Sequence, residues 1–187
     1  MEQKENNKKI LLHACCAICS GYPIENLREA GYEPVVYFYN PNIYPEAEYQ
    51  KRLEAERTLC SHFGVELIEE EYTPEEFYTI AKGFENEPER GKRCDKCFEL
   101  RLKKTIKKAE ELGIDTITTS LVISPHKNFN KITATGVKLC ENTPVEYLGI
   151  DFKKKDGFLK TNRISKELNL YRQHYCGCKF SILRETN

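Results

Sequence analysis

Seven of the nine cysteines in this chain fall into three tight groups: Cys15-Cys16-x-x-Cys19, Cys94-x-x-Cys97 and Cys176-Gly177-Cys178. A Cys-x-x-Cys pair at the start of a helix suits a metal. The first-turn N–H groups and the positive helix end lower the thiolate pKa, and the i, i+3 spacing turns both sulfurs the same way. Arg93 and Lys96, beside Cys94 and Cys97, favour thiolate too. Cys15 and Cys16 follow a short apolar strand, so a loop must turn both sulfurs toward one centre. Four thiolates from two such pairs match either a zinc site or a [4Fe–4S] cluster. Cys19 either ligates or packs at the helix start, and Cys60 and Cys140 read as buried core thiols. The Cys176 and Cys178 sulfurs, one residue apart, can close only a small, strained and therefore labile ring. That favours a redox pair over ligands to a second metal.

Composition narrows the setting. Lys+Arg and Asp+Glu balance at 29 each, so net charge gives no support for a nucleic-acid partner and local patches must carry any such claim. With 40% hydrophobic and 31% charged residues, the chain reads as a soluble globular protein. The opening MEQKENNKK is polar and the apolar run Ile10–Leu12 is too short for a secretion signal. No stretch approaches the roughly 20 apolar residues of a membrane span. The expectation is a cytoplasmic protein with no membrane partner, in a compartment that keeps thiols reduced. An odd number of clustered cysteines there points to metal or redox chemistry instead of a disulfide framework.

The elements that must position these residues alternate. Strands are predicted at Lys9–His13, Pro34–Tyr39, Val65–Ile68 and Thr116–Ile123, with a short one around Tyr147–Phe152. Helices are predicted at Tyr22–Ala30, Pro45–Phe63 (closed by Gly64), from Pro74, at Asp95–Leu112 (closed by Gly113), at Phe129–Leu139 and from about Ser165, after a basic loop. The alternation implies βαβ units: a single three-layer α/β domain over residues 1–187 with a mostly parallel sheet. The core covers about 9–140, and an extension over about 141–187 folds back carrying the Cys-Gly-Cys pair. Ligands of such sheets bind beyond the carboxyl ends of the strands. Three loops lie there: His13–Ser20, Asn40–Pro45 and Ser124–Asn128. On the last two, Asn40, Asn42, Ser124 and Asn128 are candidate substrate-binding residues.

Five stretches together resemble the QueH-type epoxyqueuosine reductase family: LLHACCAICS (Leu11–Ser20), YNPNIYPEAEYQKR (Tyr39–Arg52), KRCDKCFELRL (Lys92–Leu102), TTSLVISPHKN (Thr118–Asn128) and DFKKKDGF…YRQHYCGCKFS (Asp151–Ser181). The resemblance implies removal of the epoxide oxygen of epoxyqueuosine in the tRNA anticodon, the final step of queuosine biosynthesis. It also implies a [4Fe–4S] cluster on Cys15, Cys16, Cys94 and Cys97 and a redox-active pair, Cys176 and Cys178. The fold it implies resembles the nucleotide-binding PP-loop/HUP group. The Ser-Gly-Gly phosphate loop of the ATP users in that group is absent, so no ATP is expected. The chain is too short to spare a cobalamin domain, so no cobalamin is expected either.

Turning an epoxide into an alkene takes two electrons, two protons and the loss of water. A cluster passes electrons singly, whereas a dithiol can supply two, and an unidentified donor must refill them. Ring opening also needs an electrophile on oxygen. Candidates are His13, His174, Tyr175 or an additional iron near the cluster. For the RNA, Lys103–Lys108 reads as a solvated helix face, and Phe152–Lys166, with two aromatics among its basic residues, as a contact segment. Two rival readings are a zinc-binding RNA module without catalysis and a general thiol–disulfide oxidoreductase.

Overall fold

The computed structural model describes residues 8–185; the first seven residues of the polar opening segment lie outside them. The first strand, β1 (Lys8–His13), runs through Ile10, Leu11 and Leu12, all fully buried. A continuous apolar run suits a strand covered on both faces. Helix α1 (Ala17–Glu29) leads to β2 (Tyr32–Phe38), α2 (Glu46–Phe63) and β3 (Leu67–Glu69). Helices α3 (Pro74–Ala81) and α4 (Lys92–Leu112) then lead to β4 (Thr116–Thr119). After α5 (Phe129–Cys140) come β5 (Glu146–Tyr147), α6 (Gly157–Glu167) and α7 (Lys179–Glu185). The five strands form one sheet in the order β3-β2-β1-β4-β5, with every neighbouring pair parallel. This is the three-layer α/β fold expected from the sequence. Among the described residues, no helix is long and apolar enough to cross a membrane.

The strand order fixes where a ligand belongs. From β1 the chain builds outward through β2 and β3, then returns to the other side of β1 to place β4. The loops leaving β1 and β4 therefore diverge, and a crevice opens between their carboxyl ends, where open α/β sheets bind ligands. The loop after β1 carries Cys15 and Cys16, and the loop after β4 carries Ser124–Asn128.

Four elements differ most from the sequence-based expectation. Helix α1 starts at Ala17, not Tyr22, and runs through Pro23. A proline there lacks only the N–H that would bond the Cys19 carbonyl. Gly21 lets Ile164 of α6 approach so closely that a Cβ would sit 3.1 Å from its side chain. Strand β4 stops at Thr119, because the Thr119 Oγ1 accepts the Leu121 N–H at 3.2 Å and turns Ser120–Ile123 into a 3-10 helix. Those four residues are buried, which is why their apolar run reads as strand. The short last strand lies earlier, at Glu146–Tyr147. The basic segment after Phe152 is largely helix α6, so Ser165 lies near a helix end and the next helix begins at Lys179.

Helix α2 buries Glu56 completely, and burial pushes its carboxyl up to about 8, with the nearby Cys15 adding to the effect and a Ser20 hydrogen bond opposing it. A carboxyl raised in the folded state contributes stability below its unfolded pKa, and that contribution is lost as pH rises toward the folded value. The slope is about 1.4 kcal/mol per pH unit. Thermal melts from pH 5 to 8 should therefore show wild-type stability falling more steeply than that of Glu56→Gln. Parallel curves would mean Glu56 is ionised in the fold.

Candidate metal centre and substrate pocket

The crevice is a pocket of about 890 Å³. Seven of the nine cysteines line it: Cys15, Cys16, Cys19, Cys94, Cys97, Cys176 and Cys178. Cys60 and Cys140 are buried in the main core, as expected of packing thiols.

On one wall, Cys16 is the N-cap of α1 in extended conformation, and Cys19 lies in the first turn. The Cys15 N–H is fixed by Ser120 Oγ at 3.0 Å. The three sulfurs lie within 4.8 Å of one another, close enough to share a metal. Cys15 is held well below the ordinary thiol range by hydrogen bonds from Cys16 and Cys19. Cys16 is pushed up to about 12 by that donation to Cys15, and Cys19 is raised well above its usual value. Three thiols arranged to stabilise one thiolate are poised to lose further protons to a metal. Sequence reading left Cys19 undecided, and the structure brings it to the other two.

On a second wall, α4 begins three residues earlier than expected, so Cys94 sits inside its first turn with Cys97 one turn on. The Arg90 N–H donates to Cys94 Sγ at 3.2 Å. Burial pushes Cys97 up to about 12 and raises Cys94. The third wall is the segment before α7. Ile43 and Cys178 form an antiparallel bridge, and the Tyr44 N–H donates to the Gly177 carbonyl at 2.8 Å. Gly177 has φ +109°, and a Cβ there would lie 2.9 Å from Arg52 Nη1, so this turn requires glycine. All nine cysteines are free thiols, Cys176 exposed and Cys178 buried, so the expected Cys176–Cys178 disulfide is not formed.

The floor holds an unusual charge. Arg101, 3% exposed on α4, donates from Nη2 to Asn40 Oδ1 and from Nε to His13 Nε2 at 3.3 Å. His13 Nδ1 lies 2.8 Å from Thr119 Oγ1, and Nε2, which meets Arg101, is also 3.2 Å from the Tyr39 carbonyl. Burial and then Arg101 hold the His13 pKa down to about 3, which disfavours its imidazolium form. Asn40 is likewise engaged at both ends of its amide, its Nδ2 donating to the Ala14 carbonyl at 2.9 Å, and lies beneath the pocket. Asn42, Ser124 and Asn128 line the pocket itself. Asn128 also caps α5, accepting the Lys131 N–H at 3.0 Å.

Two further cations face the thiols. Arg93, 1% exposed, gives Nη1 to the Phe84, Glu85 and Glu87 carbonyls, while its Nε and Nη2 have no partner. Burial opposes the charge on Lys127, but Cys176, Cys15 and Cys19 together outweigh it and raise its pKa. Among the described residues, none of Arg93, Arg101 and Lys127 has a carboxylate within ion-pair distance. Buried Arg93 and Arg101 and half-buried Lys127, without carboxylates, call for another anion. A thiolate-ligated metal group of net negative charge fits that demand and that donor set.

The sequence reading missed the clamp on the third wall. Arg52 of α2, 2% exposed, pairs with Glu48 at 2.8 Å and donates to the Cys176 and Tyr175 carbonyls, each at 3.1 Å. Glu48 in turn accepts from Tyr171 Oη at 2.7 Å. The i, i+4 spacing of Glu48 and Arg52 was the available signal. The expected solvated face of Lys103–Lys108 holds: its lysines pair with Glu99, Glu76, Glu111 and Glu70. Phe152 is buried and unavailable for stacking, whereas Phe158 lines the pocket.

Because Arg101 donates to the buried Asn40 Oδ1 and also meets His13 Nε2, Arg101→Met leaves the Asn40 oxygen unpaired. Urea denaturation should register a loss of about 2–3 kcal/mol. A loss under about 0.5 kcal/mol, the level of an ordinary surface substitution, would show that the floor network carries no stability.

Comparison with known proteins agrees with this site. Residues 10–184 match the family model described as epoxyqueuosine reductase QueH. The epoxyqueuosine reductase QueH of Streptococcus pyogenes is 39% identical over 96% of this chain and 72% of its own length. That of Thermotoga maritima is 37% identical over 93% and 90%. Among solved structures, the U34-tRNA thiolase NcsA from Methanococcus maripaludis, described with its [4Fe-4S] cluster, superposes with a TM-score of 0.60. It is 16% identical, covering 95% of this chain and 62% of its own, which speaks to the fold alone. A matching family model over nearly all the described residues, relatives well above 30% identity and a thiol-lined crevice at the strand ends agree: this chain belongs to the epoxyqueuosine reductase QueH family.

Proposed function

We propose that the chain is an epoxyqueuosine reductase acting on tRNA, with a [4Fe–4S] cluster held by Cys15, Cys16, Cys94 and Cys97 and a working dithiol at Cys176 and Cys178. The observation that carries this reading is the convergence of seven cysteines and three cations without carboxylates on one crevice at the sheet's switch point. When bound, the cluster supplies single electrons at low potential.

The chain's own residues account for the remainder. The net change is epoxide plus two electrons and two protons giving alkene plus water. Cys176 and Cys178 provide both pairs when the dithiol goes to the disulfide, and an external donor restores it. Thiols at the end of a clamped segment suit this role: Arg52 and Gly177 fix the backbone while the exposed Cys176 stays open to the substrate. A proton passed to the departing oxygen by His174, which lines the pocket, is replaced from the dithiol, and Lys127 offers that oxygen positive charge. The buried His13, engaged by Arg101 and Thr119, is the poorer donor. Phe158 suits stacking against a base, and the exposed Lys154 and Lys155 suit phosphate contact. Neither ATP nor cobalamin enters this balance.

The pair Cys94→Ser/Cys97→Ser should strip most of about four irons per chain, whereas Cys60→Ser and Cys140→Ser should leave the iron in place. Normal iron in the double variant would refute the ligand set. Cys19→Ser should also keep the iron; loss there would put Cys19 in place of one proposed ligand. With Cys176 and Cys178 both changed to Ala, the visible spectrum should remain and turnover should vanish.

The reaction itself is tested under anaerobic conditions with a strong low-potential reductant. The reconstituted protein should convert epoxyqueuosine in tRNA to queuosine, lighter by one oxygen atom on mass spectrometry, without added cobalamin or ATP. No product from a verified substrate would exclude the activity.

A further inference from the structure

Gln173 stands on the segment that Arg52 clamps, and it lines the pocket. Its Nε2 lies 2.8 Å from Cys16 Sγ. A metal-bound cysteine is a thiolate and only accepts, so the amide must present its N–H there and turn Oε1 away. That Oε1 is buried and has no partner. Across the same pocket, Asn42 is 3% exposed and its Oδ1 is buried and unpartnered too. A buried carbonyl oxygen without a donor costs about 1–3 kcal/mol. Two of them in one pocket are acceptors awaiting a ligand with donors.

We propose that Gln173 is a specificity-determining and positioning residue that joins substrate recognition to the metal centre. Its Oε1, together with Asn42 Oδ1, accepts hydrogen bonds from donor groups on the modified base, a hydroxylated ring or its amine. Its Nε2–H is meanwhile held on the Cys16 sulfur. A hydrogen bond to a ligand sulfur stabilises the more negative, reduced state and so raises the midpoint potential. Substrate binding at Oε1 fixes the amide plane and with it the N–H on sulfur, so occupied sites are the ones readied to accept an electron. Clamping by Arg52 and Glu48 gives this geometry its rigidity. The inference rests on the reductase reading and adds to it a named contact for the base and a named contact for the cluster.

Gln173→Met keeps the length of the side chain and removes both functions, while Asn42→Ala removes only the second acceptor. Two quantities are read on reconstituted protein. One is the midpoint potential by EPR-monitored redox titration. The other is the ratio of affinities for an anticodon stem-loop RNA bearing epoxyqueuosine and the same RNA bearing guanine, which cancels the phosphate contribution. Gln173→Met should shift the potential to more negative values and reduce the ratio by about tenfold, the loss of one good hydrogen bond. Asn42→Ala should reduce the ratio and leave the potential unmoved. Should Asn42→Ala fail to fold, the two readings on Gln173→Met decide alone. A Gln173→Met protein with wild-type iron whose potential or ratio is unchanged overturns the proposal. A wild-type protein that does not distinguish the two RNAs would instead sink the reductase reading beneath it.

Discussion

The buried guanidinium of Arg101 is the constraint on which the site depends. It reaches from α4 to the end of β1 through His13 and to the loop after β2 through Asn40. A charge this deep is tolerated only with its hydrogen bonds made, so helix and sheet have one relative register. Cys97 lies one helical turn before Arg101 and Cys94 a further three residues back, so that register carries both sulfurs to the pocket. Burial and the same residue hold the His13 pKa down, and His13 Nδ1 lies 2.8 Å from Thr119 Oγ1, where β4 turns into its 3-10 helix. That turn supplies Ser120, whose hydroxyl fixes the Cys15 backbone. One cation thus orders three walls.

The charge is also the counterpart of the chemistry. Arg93, Arg101 and Lys127 sit against thiols with no carboxylate beside them. In a low-dielectric pocket such cations are destabilising until an anion arrives, so binding of a thiolate-ligated metal and completion of the fold are coupled. The carboxylates nearby are directed elsewhere: Glu48 neutralises Arg52, Asp95 pairs with Lys131 on the surface, and Glu56 stays protonated by burial. Excess positive charge around a reducible centre favours its reduced state, which suits a site that must hold electrons before the substrate takes them.

Much of this was legible in the sequence, because its signals are local. Alternating apolar runs and glycine stops gave the parallel sheet, and the cysteine spacings gave the metal-type grouping. Gly64 and Gly113 do end α2 and α4 in the left-handed conformation. Failures occurred where a tertiary contact overrides a local pattern. The helix expected from Tyr22 begins at Ala17, and packing of α6 on Gly21 accompanies its passage through Gly21 and Pro23. The buried Ser120–Ile123 run reads as strand until a side-chain oxygen from Thr119 bends it. Asn40 looked like a pocket residue for its place on a sheet-end loop, and only its distant partner Arg101 explains why it lies beneath the floor. Gln173 carried no chemical signal in its own neighbourhood, and the i, i+4 pairing of Arg52 with Glu48 did not reveal its target; each acts on a residue more than a hundred positions away.

The clamp also explains why the closing segment is tied by ions and hydrogen bonds and not by a covalent link. In the proposed reading these thiols alternate between dithiol and disulfide, which needs local freedom at sulfur with a fixed backbone. Arg52 grips carbonyls at Tyr175 and Cys176, and the Ile43 bridge grips Cys178, so the main chain is held on both sides of Gly177 while neither sulfur is involved in the grip. The two thiols then differ by position: Cys178 is buried and its pKa raised by that burial, whereas Cys176 is exposed. An exposed thiol meets substrate or donor first, and a buried partner with a raised pKa keeps its proton to resolve the reaction later. The asymmetry comes from the turn at Gly177, whose positive φ sends successive side chains to different environments. A side chain at that position would push against Arg52 and loosen the grip that makes the two thiols unequal.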